Sequence, residues 1–141
     1  MIDFITTTID DLPQILEWIS ADPYHLQDAN PESAVWFLTG ANCFLSCAVK
    51  DEEGLVLYIQ LRKENDWVRI GTQFAPENQV SRKRVAKSIA QAMPVLKTVT
   101  EKEGFKGLIF ESISPSLIKF MFSFGFQSYE DNDYLWVFGK E

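Results

Sequence analysis

The sequence is poor in the residues that build metal sites and disulfides, with two cysteines, Cys43 and Cys47, and one histidine, His25. The cysteines fall four apart in a segment that reads as a strand, which predicts one shared face and a separation of roughly 13 Å at ~3.3 Å per residue. A disulfide needs Cα atoms within about 7 Å, so none is expected between them. With a single histidine the pair argues against zinc ligation, no metal is expected, and free thiols fit a reducing, cytoplasmic setting. Nowhere do about 18 apolar residues follow one another, and the opening MIDFITTTIDDLPQ has neither a basic leader nor an apolar run of signal length. The expectation is a protein that neither crosses nor targets a membrane. Positive charge is also scarce, 13 Lys and Arg against 20 Asp and Glu, for a formal net charge of −7. That balance repels polyanions at long range and argues against a nucleic-acid partner. The one dense basic cluster is Arg82, Lys83, Arg84 and Lys87, at the predicted start of a helix.

What is present suits a folded chain. At 141 residues, with 46% hydrophobic, 13% aromatic and 23% charged residues, the composition predicts one domain over 1–141 with a substantial core. The first strand is predicted over Asp3 to Thr7, then a helix capped by Thr8 or Asp10 with Pro13 in its first turn. Leu12, Ile15, Leu16 and Ile19 keep helical spacing. Asp22-Pro23 and Asn30-Pro31 mark turns, and a second helix fits Glu32 to Leu38, closed by Gly40. Three strand-like runs follow, Cys43 to Lys50, Leu55 to Lys63 and Asp66 to Phe74, with connections short enough for antiparallel hairpins. The longest helical stretch lies between Gln79 and Glu103, where Pro94 predicts a kink or break. A short strand over Gly107 to Glu111, a helix from Pro115 to Gly125, and a final hairpin of Phe126 to Tyr129 with Tyr134 to Phe138 complete the order β-α-α-β-β-β-α-β-α-β-β.

That order, together with Asp11-Leu12-Pro13 ahead of Ile15-Leu16 and Ser123-Phe124-Gly125-Phe126 near the end, resembles the GNAT superfamily of acyl-CoA N-acyltransferases over nearly the whole chain. The resemblance implies an α/β (α+β) fold, with a mostly antiparallel sheet of about seven strands flanked by about four helices. It implies acetyl-CoA as co-substrate and a small-molecule or protein amine as acceptor. The cofactor contacts would come from Phe74 and Ala75 at a strand end, and from Gln79, Val80, Ser81, Arg82, Lys83, Arg84 and Val85 at the start of the long helix. A helix N-terminus suits pyrophosphate because its unpaired amides and dipole favour an anion.

The sequence departs from the family pattern at three points. The family writes Gln/Arg-x-x-Gly-x-Gly/Ala, and Arg82 and Arg84 stand where the small residues belong. Glycine lets amides approach phosphate, whereas an Arg-rich turn would bind phosphate through guanidinium groups, hold the adenosine 3′-phosphate, or be a solvated helix face. Met121 stands at the position of a proton-donating tyrosine, and a thioether donates no proton. Ser114 stands at an asparagine position and is a candidate donor with Ser116. Glu111 is the candidate general base, useful if burial raises its pKa, and Gln73 could only orient a water. His25 is weighed as a base or acceptor contact against a surface or packing role. An exposed Phe122 would point to a homodimer, and a non-catalytic, phage-type binding or assembly protein remains the alternative to an enzyme.

Overall fold

The computed structural model describes residues 2–23, 30–39 and 42–139, with 37–39 followed along the backbone alone. In chain order the elements are β1 (Asp3–Thr6), α1 (Leu12–Ala21), α2 (Pro31–Thr39), β2 (Cys43–Asp51), β3 (Gly54–Glu64), β4 (Trp67–Phe74), α3 (Arg82–Lys102), β5 (Gly107–Glu111), α4 (Pro115–Phe122), β6 (Gln127–Ser128) and β7 (Asp133–Val137). This is the order the sequence predicts. The expected closure of α2 by Gly40 and the position of His25 lie outside the described residues.

The chain enters α1 through a reciprocally capped 3-10 turn at Ile9–Asp11. Thr8 Oγ1 accepts the Asp10 amide at 3.3 Å, and Asp11 Oδ2 accepts the Thr8 amide at 2.8 Å. The other Asp11 oxygen accepts the Tyr58 hydroxyl at 3.1 Å, so the acidic residue of the Asp-Leu-Pro motif anchors the helix entry to β3. Trp18 completes the joint, its ring 5.3 Å from that of Tyr58.

All seven strands form one sheet in the order β1-β2-β3-β4-β5-β7-β6. Every neighbouring pair is antiparallel except β4 with β5. Within β3 every residue from Val56 to Leu61 is buried, so helices cover both faces of the sheet here. The Tyr58, Gln60 and Arg62 side chains meet Asp11, Trp18 and Trp36 on the α1/α2 face. Leu57, Ile59 and Leu61 alternate onto the opposite face, where α3 packs, presenting Ile89, Ala92, Met93 and Leu96. Phe120 of α4 and Phe124, in the turn just past the end of that helix, meet edge to face at 5.2 Å, while Phe122 is 45% exposed. Among the described residues, no helix is long and apolar enough to cross a membrane.

Two expectations need correction. The cysteines do not share a face: a bulge between Cys43 and Leu45 inserts Phe44, so Cys43 pairs with Arg62 and Cys47 with Ile59. Arg62 and Ile59 are an odd number apart and point to opposite sides, carrying the cysteines with them. Both thiols are free, and burial pushes that of Cys47 up to about 11. Pro94 does not break the long helix, which runs from Arg82 to Lys102 as one element. The bond it removes would have reached the Ala90 carbonyl, and both residues lie on the solvent side, so that carbonyl is open to solvent.

Candidate functional site

The site begins with a defect in the sheet. β4 and β5 pair in parallel at Trp67↔Gly107, Val68↔Leu108 and Arg69↔Ile109, and then stop pairing although β4 runs on to Phe74 and β5 to Glu111. The strands splay apart, and a cleft of about 1420 Å³ opens between them. The Ala75 amide donates to the Val56 carbonyl at 3.1 Å, so it belongs to the β3 side. By the alternation of an antiparallel ladder, the backbone groups of Thr72 and Phe74 then point the other way, toward the gap that β5 has left. Phe74, and not Ala75, therefore presents an amide there, although both residues line the cleft.

One end of the cleft lies against the N-terminus of α3. Ser81 caps it, its hydroxyl accepting the Arg84 amide at 3.2 Å, and the Gln79 and Val80 amides turn back onto the Pro76 carbonyl. The amides of Arg82 and Lys83, one and two residues into the helix, have no intrahelical acceptor, which makes this end attractive to an anion. Val80, Arg82 and Val85 line the cleft; Gln79, Ser81, Lys83 and Arg84 do not. Gln79 instead accepts the Trp18 indole N–H at 3.2 Å and ties this loop to α1.

The two arginines at the family's small-residue positions do different things. Arg84 faces the β2–β3 turn, where Nε and Nη2 donate to the two oxygens of Asp51 at 2.8 and 2.7 Å, with Glu53 3.3 Å away. Arg82 stands at the mouth and pairs with Glu77 at 2.6 Å, but both side chains are largely exposed, at 78% and 68%. Such a pair contributes little to stability and is easily exchanged for another anion.

Of the predicted catalytic residues, Glu111, Ser114 and Ser116 all line the cleft. Glu111 stands exposed at the end of β5. Ser114 caps α4, accepting the Leu117 amide at 3.4 Å, and its hydroxyl lies 3.3 Å from that of Ser116. Met121 is buried in the wall, and no tyrosine lines the cleft among the described residues. Gln73 is buried, with its Nε2 donating to the Trp18 carbonyl at 3.3 Å and to Asp22 Oδ2 at 3.1 Å. It thereby positions Asp22, a cleft residue that the sequence marked merely as a turn. Trp36, Arg62 and Asn132 are further cleft residues with no signal in the sequence, since each reads as an ordinary member of its helix, strand or loop.

No family model matches this chain, and no curated protein resembles it in sequence. Its likeness is to solved structures. An aminoglycoside acetyltransferase in complex with coenzyme A and kanamycin superposes with a TM-score of 0.72 at 11% identity, over 98% of this chain and 95% of that one. The ribosomal-protein-S18-alanine N-acetyltransferase from Escherichia coli gives 0.67 at 15% identity, over 96% and 91%. A GNAT family acetyltransferase from Brucella melitensis in complex with acetyl-CoA gives 0.58 at 15% identity, over 100% and 90%. The chain therefore has the GNAT acyl-CoA N-acyltransferase fold, as the element order predicts. One of these structures is an aminoglycoside acetyltransferase and another a ribosomal-protein-alanine N-acetyltransferase, so the fold by itself does not select an acceptor.

Proposed function

We propose that this chain is an acyl-CoA-dependent N-acyltransferase that moves an acetyl group from acetyl-CoA to an amine. The observation that carries the reading is the splay past Arg69↔Ile109, which opens backbone groups of β4 onto a cleft ending at a helix N-terminus. The apolar wall of Val85, Ala86, Ile89 and Phe110 suits a pantetheine arm. The first-turn amides of α3 would hold the pyrophosphate, with Arg82 exchanging Glu77 for a phosphate oxygen. Arg84 takes no part in this, being committed to Asp51.

The Phe74 amide would donate to the thioester oxygen as negative charge develops there. The acceptor nitrogen, neutral and carrying its lone pair, forms the new C–N bond and loses a proton to Glu111 directly or through a water. The C–S bond breaks, and the departing thiolate takes a proton from Ser114 or from solvent, because Met121 has none to give. An exposed carboxylate is a weak base, so the reaction depends chiefly on positioning. Acetyl-CoA as co-substrate is in keeping with a cytoplasmic protein, and a small molecule or a protein would supply the amine.

Met121 favours a second reading, a binding protein of the same fold that has lost turnover. Calorimetric titration with acetyl-CoA tests the first: absence of heat at millimolar ligand rejects it. Release of free thiol in the presence of an amine then separates the enzyme from the binding protein.

A further inference from the structure

Arg62 makes no ion pair among the described residues, in a place that makes this costly. It projects from β3 into the cleft on the α1/α2 face of the sheet, directly opposite Arg69 in the β3–β4 ladder. Like charges facing each other across a ladder repel. Arg69 is neutralised twice, by Glu64 at 2.9 Å and by Asp133 at 2.8 Å. Arg62 has no carboxylate partner among the described residues; its Nε is buried without an acceptor, and the guanidinium lies 4.3 Å from the centre of the Trp36 ring. Burial, and then the charge of Arg69, hold its pKa below the usual arginine range. Glu64, whose charge acts favourably on Arg62, is hydrogen-bonded to Arg69, as is Asp133, so neither pairs with Arg62 directly and its guanidinium is left to be met from the cleft.

Glu111 stands on the same face, two strands across and two residues along from the level of Arg62, a Cα separation of roughly 12 Å on an unsplayed sheet. Asp22 and Glu32 line the cleft as well. Positive and negative groups therefore face each other across one space, narrowed further by two long side chains.

Building on the acyltransferase reading, we infer that the acceptor is an amine that also carries a small oxyanion, an amino-acid carboxylate being the simplest case, and that Arg62, held flat on Trp36, receives that group. The anion supplies the missing counter-charge and orients the amine toward Glu111. Arginine suits the task because its planar fork matches a carboxylate while its face stays on the ring.

The test is calorimetric titration of the full chain with glycine, methionine, phenylalanine, glutamate and lysine, each against its own α-carboxamide, in the presence of coenzyme A. At least one acid should bind about tenfold more tightly than its amide. Arg62→Gln should bring that ratio close to one, and Arg62→Lys should retain part of it. Amides that bind as well as acids, acids that do not bind, or a ratio that survives in Arg62→Gln each overturn the inference. The heat of coenzyme A binding, measured first in each sample, reports folding of the variant and the acyltransferase reading separately. If coenzyme A binds and the acids do not, this inference falls alone; if the acids bind through Arg62 and coenzyme A does not, the acyltransferase reading falls alone.

Discussion

Arg84 grips Asp51 with two parallel hydrogen bonds of 2.8 and 2.7 Å, joining the first turn of α3 to the β2–β3 turn 33 residues earlier. An arginine that the GNAT resemblance sets at a small-residue position thereby acts as a structural strap. The same Asp51 carboxylate accepts the Glu53 and Gly54 amides at 2.9 and 3.1 Å, so one side chain closes the hairpin and holds the helix.

The strap predicts a pH dependence. The hydrogen bond from Arg84 is the main cause that lowers the Asp51 pKa from its ordinary 3.8 to about 2. A carboxylate with a depressed folded-state pKa stabilises the protein fully above its unfolded value and loses that contribution as pH falls through the folded one. Urea denaturation between pH 5 and pH 2 should show wild-type stability falling more steeply than that of Asp51→Asn from about pH 4 downward. Parallel curves would mean that the ion pair carries no net stability.

Glu111 is the test of proton transfer. Glu111→Gln keeps the shape and removes the basic site, and turnover should fall by about 10²-fold. Thiol release at saturating acetyl-CoA reads this, with the heat of acetyl-CoA binding as the control. Unchanged turnover removes Glu111 from the reaction and turns attention to Asp22, which Gln73 holds at 3.1 Å.

Gly125 adopts φ 117, and a Cβ placed there would meet the Trp136 indole nitrogen at 2.7 Å. Gly104 adopts φ 87 with open space around it. Both alanine variants bear backbone strain, but only one also displaces a ring packed against Phe126 and Phe138. Gly104→Ala should cost about 1 kcal/mol and Gly125→Ala about 2–4 kcal/mol in chemical denaturation. Equal costs would show that Trp136 moves aside freely.

Pro94 sits in a continuous helix with a missing bond on the solvent side. Pro94→Ala restores the donor to the Ala90 carbonyl and should raise stability by about 1–3 kcal/mol, read as a higher denaturation midpoint. A lower midpoint would mean that the ring itself packs usefully.

The elements were legible because their signals are local. Alternation in β3, the stripe on α3 and prolines at helix starts each state their own structure within a few residues, and the element order then implied the fold. The bulge at Phe44 was not legible, since nothing in Cys-Phe-Leu-Ser-Cys says that one residue is extra, and the cysteine faces were misread as a result. The roles of the two arginines were likewise hidden, because Arg84 is decided by Asp51, a partner remote in sequence, and Arg82 by Glu77 at the mouth. The sequence pattern placed Glu111 and Ser114 at the right strand end and helix start. It could not reveal Arg62, whose significance lies in a counter-ion that its neighbour has taken.

The three rungs between β4 and β5 make the sheet two blocks sharing a short seam. Arg69 is a rivet across it, reaching from β4 to Asp133 at the start of β7. Any molecule lodged in the widening part of that seam touches both blocks at once, so it acts as mortar as well as cargo. A cofactor bound there as proposed would tie the two blocks together, so its binding should also raise the protein's stability.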